Sequence, residues 1–228
     1  MAGEASAGGA TNADRALHEI KRAIIEGELP PGIVVSEHEL AARLGMSRTP
    51  VHQALDRLRA DGWVTIAPRS GVTVAGIDAE RMRNIYEALM ALEGAAALRF
   101  DTENSDAVQR LIDAEAECEA ALAEDDLRGW ANADNHFHRH LIVDSGNPEL
   151  ARLSASLMEH AHRARLMTVQ LRPKPEASNA DHREIIRCIR AGDHEGARAA
   201  LQRHRERGMQ ILLPILEGMY PSRPAFLR

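Results

Sequence analysis

Hydrophobic positions recur with two different periods along this 228-residue chain, and the change of period marks out its parts. Leu17, Ile20 and Ile24 share one side of a 3.6-residue helix and predict a helix over about 14–27. The run "GELPPG" stops it, because two prolines between glycines cannot continue a helix. Ser36 then offers a cap with Glu39 as its reciprocal partner, and a short helix turns Leu40, Ala41 and Leu44 inward until Gly45 breaks it. Ser47 is expected to cap the next helix, and Pro50 falls in its first turn, where a missing N–H costs little. Val51, Ala54, Leu55 and Leu58 form its buried face, and Gly62 ends it. The period then drops towards two. "WVTIAP" and "GVTVAGI" read as β-rich runs separated by Arg69 and Ser70, a hairpin. Helix, helix, turn, helix, hairpin is the order of a winged helix-turn-helix.

From Asp78 onward the strand signals vanish. The periodicity predicts helices at about 79–100, 104–124, 126–144, 147–171, 177–192 and 194–217, with "DTENS", "EDD", "SGNP", "RPKP" and "AGD" as the breakers. Pro214 is expected to end or kink the last helix early. The predicted fold is mostly α: a winged helix-turn-helix over 13–76, then an all-α six-helix bundle over 77–218. Residues 1–12 and 219–228 read as tails, the first disordered.

Composition narrows the function classes. Hydrophobic residues make up 44% and aromatics only 3%, so the core is aliphatic and suits packed helices. No apolar run approaches the ~18 residues of a membrane span, and the start "MAGEASAGGATNAD" lacks the basic and apolar regions of a signal peptide. Cys118 and Cys188 are isolated within helical patterns, which gives no disulfide framework and fits a reducing cytoplasm. The net charge is −6, of which residues 1–76 carry −1 (8 Lys/Arg against 9 Asp/Glu) and the rest −5 (20 against 25). Such a balance neither supports nor excludes DNA binding, which depends on local cation clustering.

On the third helix Arg48, His52, Asp56 and Arg59 form a stripe away from the Val51/Leu58 face, and Arg48, Thr49 and His52 are placed to approach base edges in a major groove. The run "LPPGIVVSEHELAARLGMSRTPVHQALDRLRADGWVTIAPRSGVTVAGI" resembles, along its whole length, the N-terminal domain of GntR-type bacterial transcription regulators. The Pro-Pro-Gly turn, "SRTPV", "ALDRL" and "DGWV" stand in that family's order and spacing. The resemblance implies double-stranded DNA as partner and assigns contacts to His38, Ser47, Arg48, Thr49, His52 and Arg69. His38 and His52 stand where arginine is usual, which implies a weaker phosphate grip at neutral pH and tighter binding near pH 6 than pH 8.

The stretch "WANADNHFHRHL" holds Asp134, His136, His138 and His140. At 100° per residue Asp134 falls in the middle of the face formed by Leu127, Trp130, Phe137 and Leu141, with His138 about 40° away, while His136 and His140 point elsewhere. His182 shares the face of Ile185, Ile186 and Ile189, and His204 that of Ala197, Ala200, Leu201, Ile211 and Ile215. Each could be a hydrogen-bonded core residue; together, one carboxylate and three imidazoles on inward faces also suit a divalent metal.

The helical block resembles the FadR-like effector domain, called FCD, in which Asp and His four apart, a later His followed by Ile-Ile and a final His recur; here these are Asp134, His138, His182 and His204. The resemblance implies a metal, zinc first with nickel, manganese or iron as alternatives. It also implies a small effector, usually a carboxylate, that completes the coordination. The first bundle helix, "YEALMALEGAAALRF", departs from the family in holding Leu89 where an effector-binding arginine is usual. Effector contacts are therefore sought at Leu89 and Glu93, and at Arg163 and Arg165, unless the two arginines are solvated surface charges.

The leading reading is a cytoplasmic, homodimeric transcription regulator on a palindromic operator, more commonly a repressor, responsive to an organic acid. Two rivals remain at this point: a metalloenzyme using the Asp/His site with Glu93 as base, and a regulator whose metal is purely structural.

Overall fold

A computed structural model describes residues 10–67 and 71–219, which divide into two compact units between Gly76 and Ile77. The first contains α1 (Asn12–Ile25), β1 (Val34–Val35), α2 (Glu37–Leu44), α3 (Arg48–Ala60), β2 (Val64–Ala67) and β3 (Gly71–Val74). Its helix α1 starts two residues ahead of the expected position, because Thr11 and Asp14 close a reciprocal capping box around its end. The box expected at Ser36 and Glu39 forms on α2. Ser47 stands at the start of α3, but its side chain makes no capping hydrogen bond, contrary to expectation.

Gly45 sits between α2 and α3 at φ +63°, the left-handed conformation that ends a helix without a Cβ penalty and turns the chain towards α3. Helices α1 and α3 then bury Ala16, Ile20 and Ile24 with Val51, Leu55 and Leu58 around Trp63. The antiparallel sheet has the order β1-β3-β2, with Val35 opposite Val72 and Val64 opposite Val74. The strand β1 was not expected from the sequence: at two residues it is too short to show a period. Arg69 and Ser70 at the hairpin tip lie outside the described residues.

The second unit is all helical: α4 (Ala79–Arg99), α5 (Ser105–Ala123), α6 (Leu127–Val143), α7 (Pro148–Thr168), a 3₁₀ turn (Val169–Leu171), α8 (Glu176–Arg190) and α9 (His194–Met219). The helix expected to run to 171 stops at Thr168, whose hydroxyl donates to the carbonyl of Ala164 as the chain tightens into the 3₁₀ turn. Pro214 does not end α9, which continues to Met219. Pro214 and Gln210, whose carbonyl loses its partner, both lie on the exposed side near the end of the helix, so water can take the place of the missing N–H. Two aliphatic clusters, one around Leu89 and Leu212 and one around Leu111, Phe137 and Ile185, flank the middle of the bundle. Among the described residues no helix is long and apolar enough to cross a membrane.

Gly45→Ala forces a side chain into the left-handed region and is expected to lower unfolding stability by about 1–2 kcal/mol in urea titration. Gly45→Asn is expected to lose less, and equal losses would contradict the conformational explanation.

Candidate metal centre and nucleic-acid interface

Asp126 caps α6 by accepting from the Gly129 N–H at 2.8 Å, and the helix then carries Asp134 and His138, four residues apart, on its inner face. His182 enters from α8 beside Ile185 and Ile189, with its ring stacked on Phe137 at 4.0 Å between centroids. His204 enters from α9. All four side chains are buried, and one potential ligand atom from each lies within 4.8 Å of the others. His138 Nε2 and His204 Nε2 are 3.1 Å apart, and His182 Nε2 is 3.6 Å from Asp134 Oδ1. Two nitrogens on one ion at about 2.0–2.1 Å stand about 3–3.4 Å apart, so this spacing fits a shared cation. Neither ring nitrogen of His182 has a hydrogen-bond partner among the described residues, an unsatisfied state that a metal would relieve.

The surrounding charges favour the forms that bind a metal. Burial opposes ionisation of Asp134, but the Arg165 guanidinium, whose Nη2 lies 2.8 Å from Oδ2, holds its pKa well below the usual carboxylate range. Burial and the Arg205 guanidinium push His138 down to about 4, and burial with the neighbouring His204 depresses His182, so both imidazoles are neutral at pH 7. Behind them Glu93 stands 3.1 Å from His138 Nδ1 and accepts two hydrogen bonds from Arg205, one of them 2.7 Å from Nε. Glu93 thus places a carboxylate against His138 without belonging to the four-residue cluster. His136 is exposed and His140 half-buried, and neither belongs to the cluster.

A cavity of about 140 Å³ opens beside the cluster and touches Asp134, Arg165 and His204. Leu89 is fully buried in the aliphatic cluster and does not line it; nor do Arg163 and Glu93. Arg163 and Arg165 are both buried, which corrects the alternative that they are solvated surface charges. Four further cations line the cavity: Arg172, Lys174, Arg205 and Arg207. Arg165, Arg205, Arg207 and Lys174 each meet a carboxylate: Asp134, Glu93, Asp181 and Asp125. Arg172, carried in by the 3₁₀ turn, donates instead to Thr168 Oγ1 at 2.6 and 2.9 Å and to Tyr86, and burial disfavours its charge. Arg205 finds its partner on a distant helix, and Arg172 sits beyond the end of α7 on a turn without periodicity, so neither carries a local signal.

In the first unit His38, Ser47, Arg48, Thr49 and His52 are all exposed around the start of α2 and of α3, and Arg69 lies outside the described residues. Glu37 on α2 reaches both reading groups, 3.4 Å from Arg48 Nε and 3.1 Å from His52 Nδ1. His52 Nε2 also lies 3.6 Å from Asp56. The sequence shows Glu37 only as a first-turn acid; its cross-helix role depends on the turn at Gly45.

Residues 12–74 match the family described as "Bacterial regulatory proteins, gntR family", and residues 84–207 match the FCD domain. An HTH-type transcriptional regulator in the TAR-I ttuE-ttuC' intergenic region of Agrobacterium vitis is 42% identical over 147 residues, covering 63% of this chain and 85% of the relative. A Paenarthrobacter nicotinovorans relative named "Probable D-xylose utilization operon transcriptional repressor" is 31% identical over 182 residues, covering 79% of this chain and 80% of its own. A crystal structure of a GntR transcriptional regulator from Rhodococcus sp. RHA1 superposes with a TM-score of 0.77 at 25% identity, covering 91% of this chain and 98% of that one.

Two measurements check the buried electrostatics. Glu93→Ala leaves Arg205 buried without its carboxylate and is expected to cost about 3–5 kcal/mol in urea unfolding, whereas Glu93→Ala/Arg205→Met should recover much of that loss. A double variant less stable than the single would contradict the pairing. His138 and His162, both pushed down to about 4 by burial, take up protons more readily unfolded than folded. Their stability contribution is present above their ordinary value of 6.5 and is lost as pH falls from there through about 4. The melting temperature in chelator should therefore fall between pH 7 and pH 5; a flat or rising profile would contradict it.

Proposed function

The chain belongs to the gntR family of bacterial regulatory proteins and carries an FCD domain, and from that premise we propose a metal-containing, effector-responsive repressor acting as a cytoplasmic homodimer. Its class is DNA-binding transcription regulator, not enzyme, which removes the metalloenzyme alternative. The observation that carries the finer reading is the buried convergence of Asp134, His138, His182 and His204 beside a cation-lined cavity. Three imidazoles and a carboxylate suit zinc, with nickel, manganese or iron as alternatives, and a bound ion would supply Lewis acidity towards a ligand oxygen.

The DNA-facing set is His38, Ser47, Arg48, Thr49, His52 and Arg69. Arg48 forks onto a guanine edge or a phosphate and must leave Glu37 to do so. Pairing of two reading helices on a palindrome sets the homodimer. The repressor sense is supported by the name of the Paenarthrobacter relative.

The effector is an organic acid held in the cavity, its anionic group on Arg172 with Arg165 nearby. Arg172 takes over the part that Leu89 cannot play, since it is the lining cation that meets no carboxylate among the described residues. Glu93 acts on the effector only through His138 and Arg205. Effector binding regulates only in so far as the DNA-bound and released arrangements hold it with different affinity. A purely structural metal would make the cavity and its cations idle.

On DNA from upstream of its own gene, wild type should bind in fluorescence anisotropy with strong salt dependence, and Arg48→Ala should lose more than ~1 kcal/mol of specific binding. Equal binding by the two would overturn the DNA assignment. In a thermal-shift screen of small mono- and dicarboxylates, wild type should give stabilising ligands whose effect disappears in Arg172→Ala. Stabilisation that survives the substitution would contradict the effector assignment.

A further inference from the structure

Glu115, on α5, stands between the surface and the buried cluster. It is only 4% exposed. Its Oε1 accepts from Arg183 Nη1 at 3.2 Å, and Arg183 also pairs with Glu119. Its Oε2 is buried with no hydrogen-bond partner among the described residues. Arg183 is the residue after His182 in α8, so the helix that supplies the histidine also anchors the carboxylate. On the inner side, a carboxylate oxygen of Glu115, Cys118 Sγ and a ring nitrogen of His182 lie within 4.8 Å of one another. His182 is fully buried, with both ring nitrogens unsatisfied and Nε2 towards Asp134. A ring nitrogen of His182 thus lies within 4.8 Å of a Glu115 carboxylate oxygen, and each residue carries a buried polar atom with no partner among the described residues.

A neutral imidazole that offers one nitrogen to a cation keeps its proton on the other, and that N–H needs an acceptor that fixes the tautomer and the ring angle. We propose that Glu115 is the positioning residue of His182: its inner oxygen accepts the Nδ1–H and leaves Nε2 as the lone pair turned to Asp134, His138 and His204. The inference rests on the reading of those four residues as a metal centre. It ties that centre through Arg183 to an exposed ion pair with Glu119 between α5 and α8.

The competing use of the same three donors is a second metal site with His182 as a bridge. That would put two cations on one buried ring. It would also require a thiolate at Cys118, which burial and the neighbouring Asp134 and Glu115 charges oppose. Supporting His182 needs neither.

The test uses the full chain as wild type, Glu115→Ala, Glu115→Gln and Glu119→Ala. Zn²⁺ affinity and stoichiometry are measured by competition with a chromophoric chelator, and the site geometry is followed by the visible spectrum of the Co²⁺ form. Wild type should bind one ion per chain. Glu115→Ala should bind about 10- to 100-fold more weakly with an altered Co²⁺ spectrum. Glu115→Gln, whose amide oxygen can accept the same bond, should stay within about threefold of wild type. Glu119→Ala, which shares Arg183 but not His182, should match wild type. Wild-type affinity and spectrum in Glu115→Ala, a Gln variant as weak as the Ala variant, or two ions per chain would each overturn the proposal. No Zn²⁺ binding by wild type itself would remove the metal centre and this inference with it, an outcome separable from the others because the unsubstituted chain is silent. Should Glu115→Ala fail to fold, long-range ¹H–¹⁵N correlation on Zn²⁺-loaded wild type decides: His182 protonated at Nδ1 supports the assignment and protonation at Nε2 overturns it.

Discussion

The helical unit depends on how charge is compensated in its interior. Glu93, Asp134, Arg165 and Arg205 are all buried in the interior that also holds His138, His182 and His204. An unpaired charge there would cost several kcal/mol, comparable with a large part of a domain's net stability. Each anion therefore meets a cation: Asp134 lies against Arg165, and Glu93 against Arg205. His138 stands between the two carboxylates. That arrangement contributes little to stability as such, since well-packed apolar residues would do as well. What it holds is a set of lone pairs in fixed positions, and the 3₁₀ turn that follows α7 brings Arg172 alongside them.

The first unit is organised around a different constraint. Trp63 and the aliphatic faces of α1 and α3 fix the angle at which α3 is presented, so the polar stripe from Arg48 to Arg59 is what remains for solvent or a partner. Glu37 then sets the charge of that stripe in the DNA-free protein. By lying against both Arg48 and His52 it withholds some positive charge from a reading helix that already has histidine in place of arginine. In the proposed DNA-facing role of Arg48 and His52, a phosphate or base outcompetes Glu37 for the same groups, which favours sites that engage several contacts at once.

Much of this was legible in the sequence, for identifiable reasons. Helices with a 3.6-residue period and breakers between them were placed within a few residues, and the inward direction of Asp134, His138, His182 and His204 followed from their apolar neighbours. Arg163, Arg165 and Arg205 were harder, because an arginine reads as surface unless its partner is known. Glu93 and Arg205 are 112 positions apart. The proposed use of Arg172 in place of a cation at Leu89 depends on a turn that no periodicity reveals, and β1 is too short to have one. The continuation of α9 past Pro214 reflects its exposed position near the helix end, where losing one hydrogen bond is tolerated.

X-ray absorption at the zinc edge of the Zn²⁺-loaded protein tests whether Asp134, His138, His182 and His204 bind one ion together. Shared binding gives a first shell of nitrogen and oxygen at about 2.0–2.1 Å, with the outer-shell scattering of three imidazoles and no sulfur. A sulfur distance of about 2.3 Å, which would bring Cys118 into the coordination, or scattering from fewer than three imidazoles would contradict it.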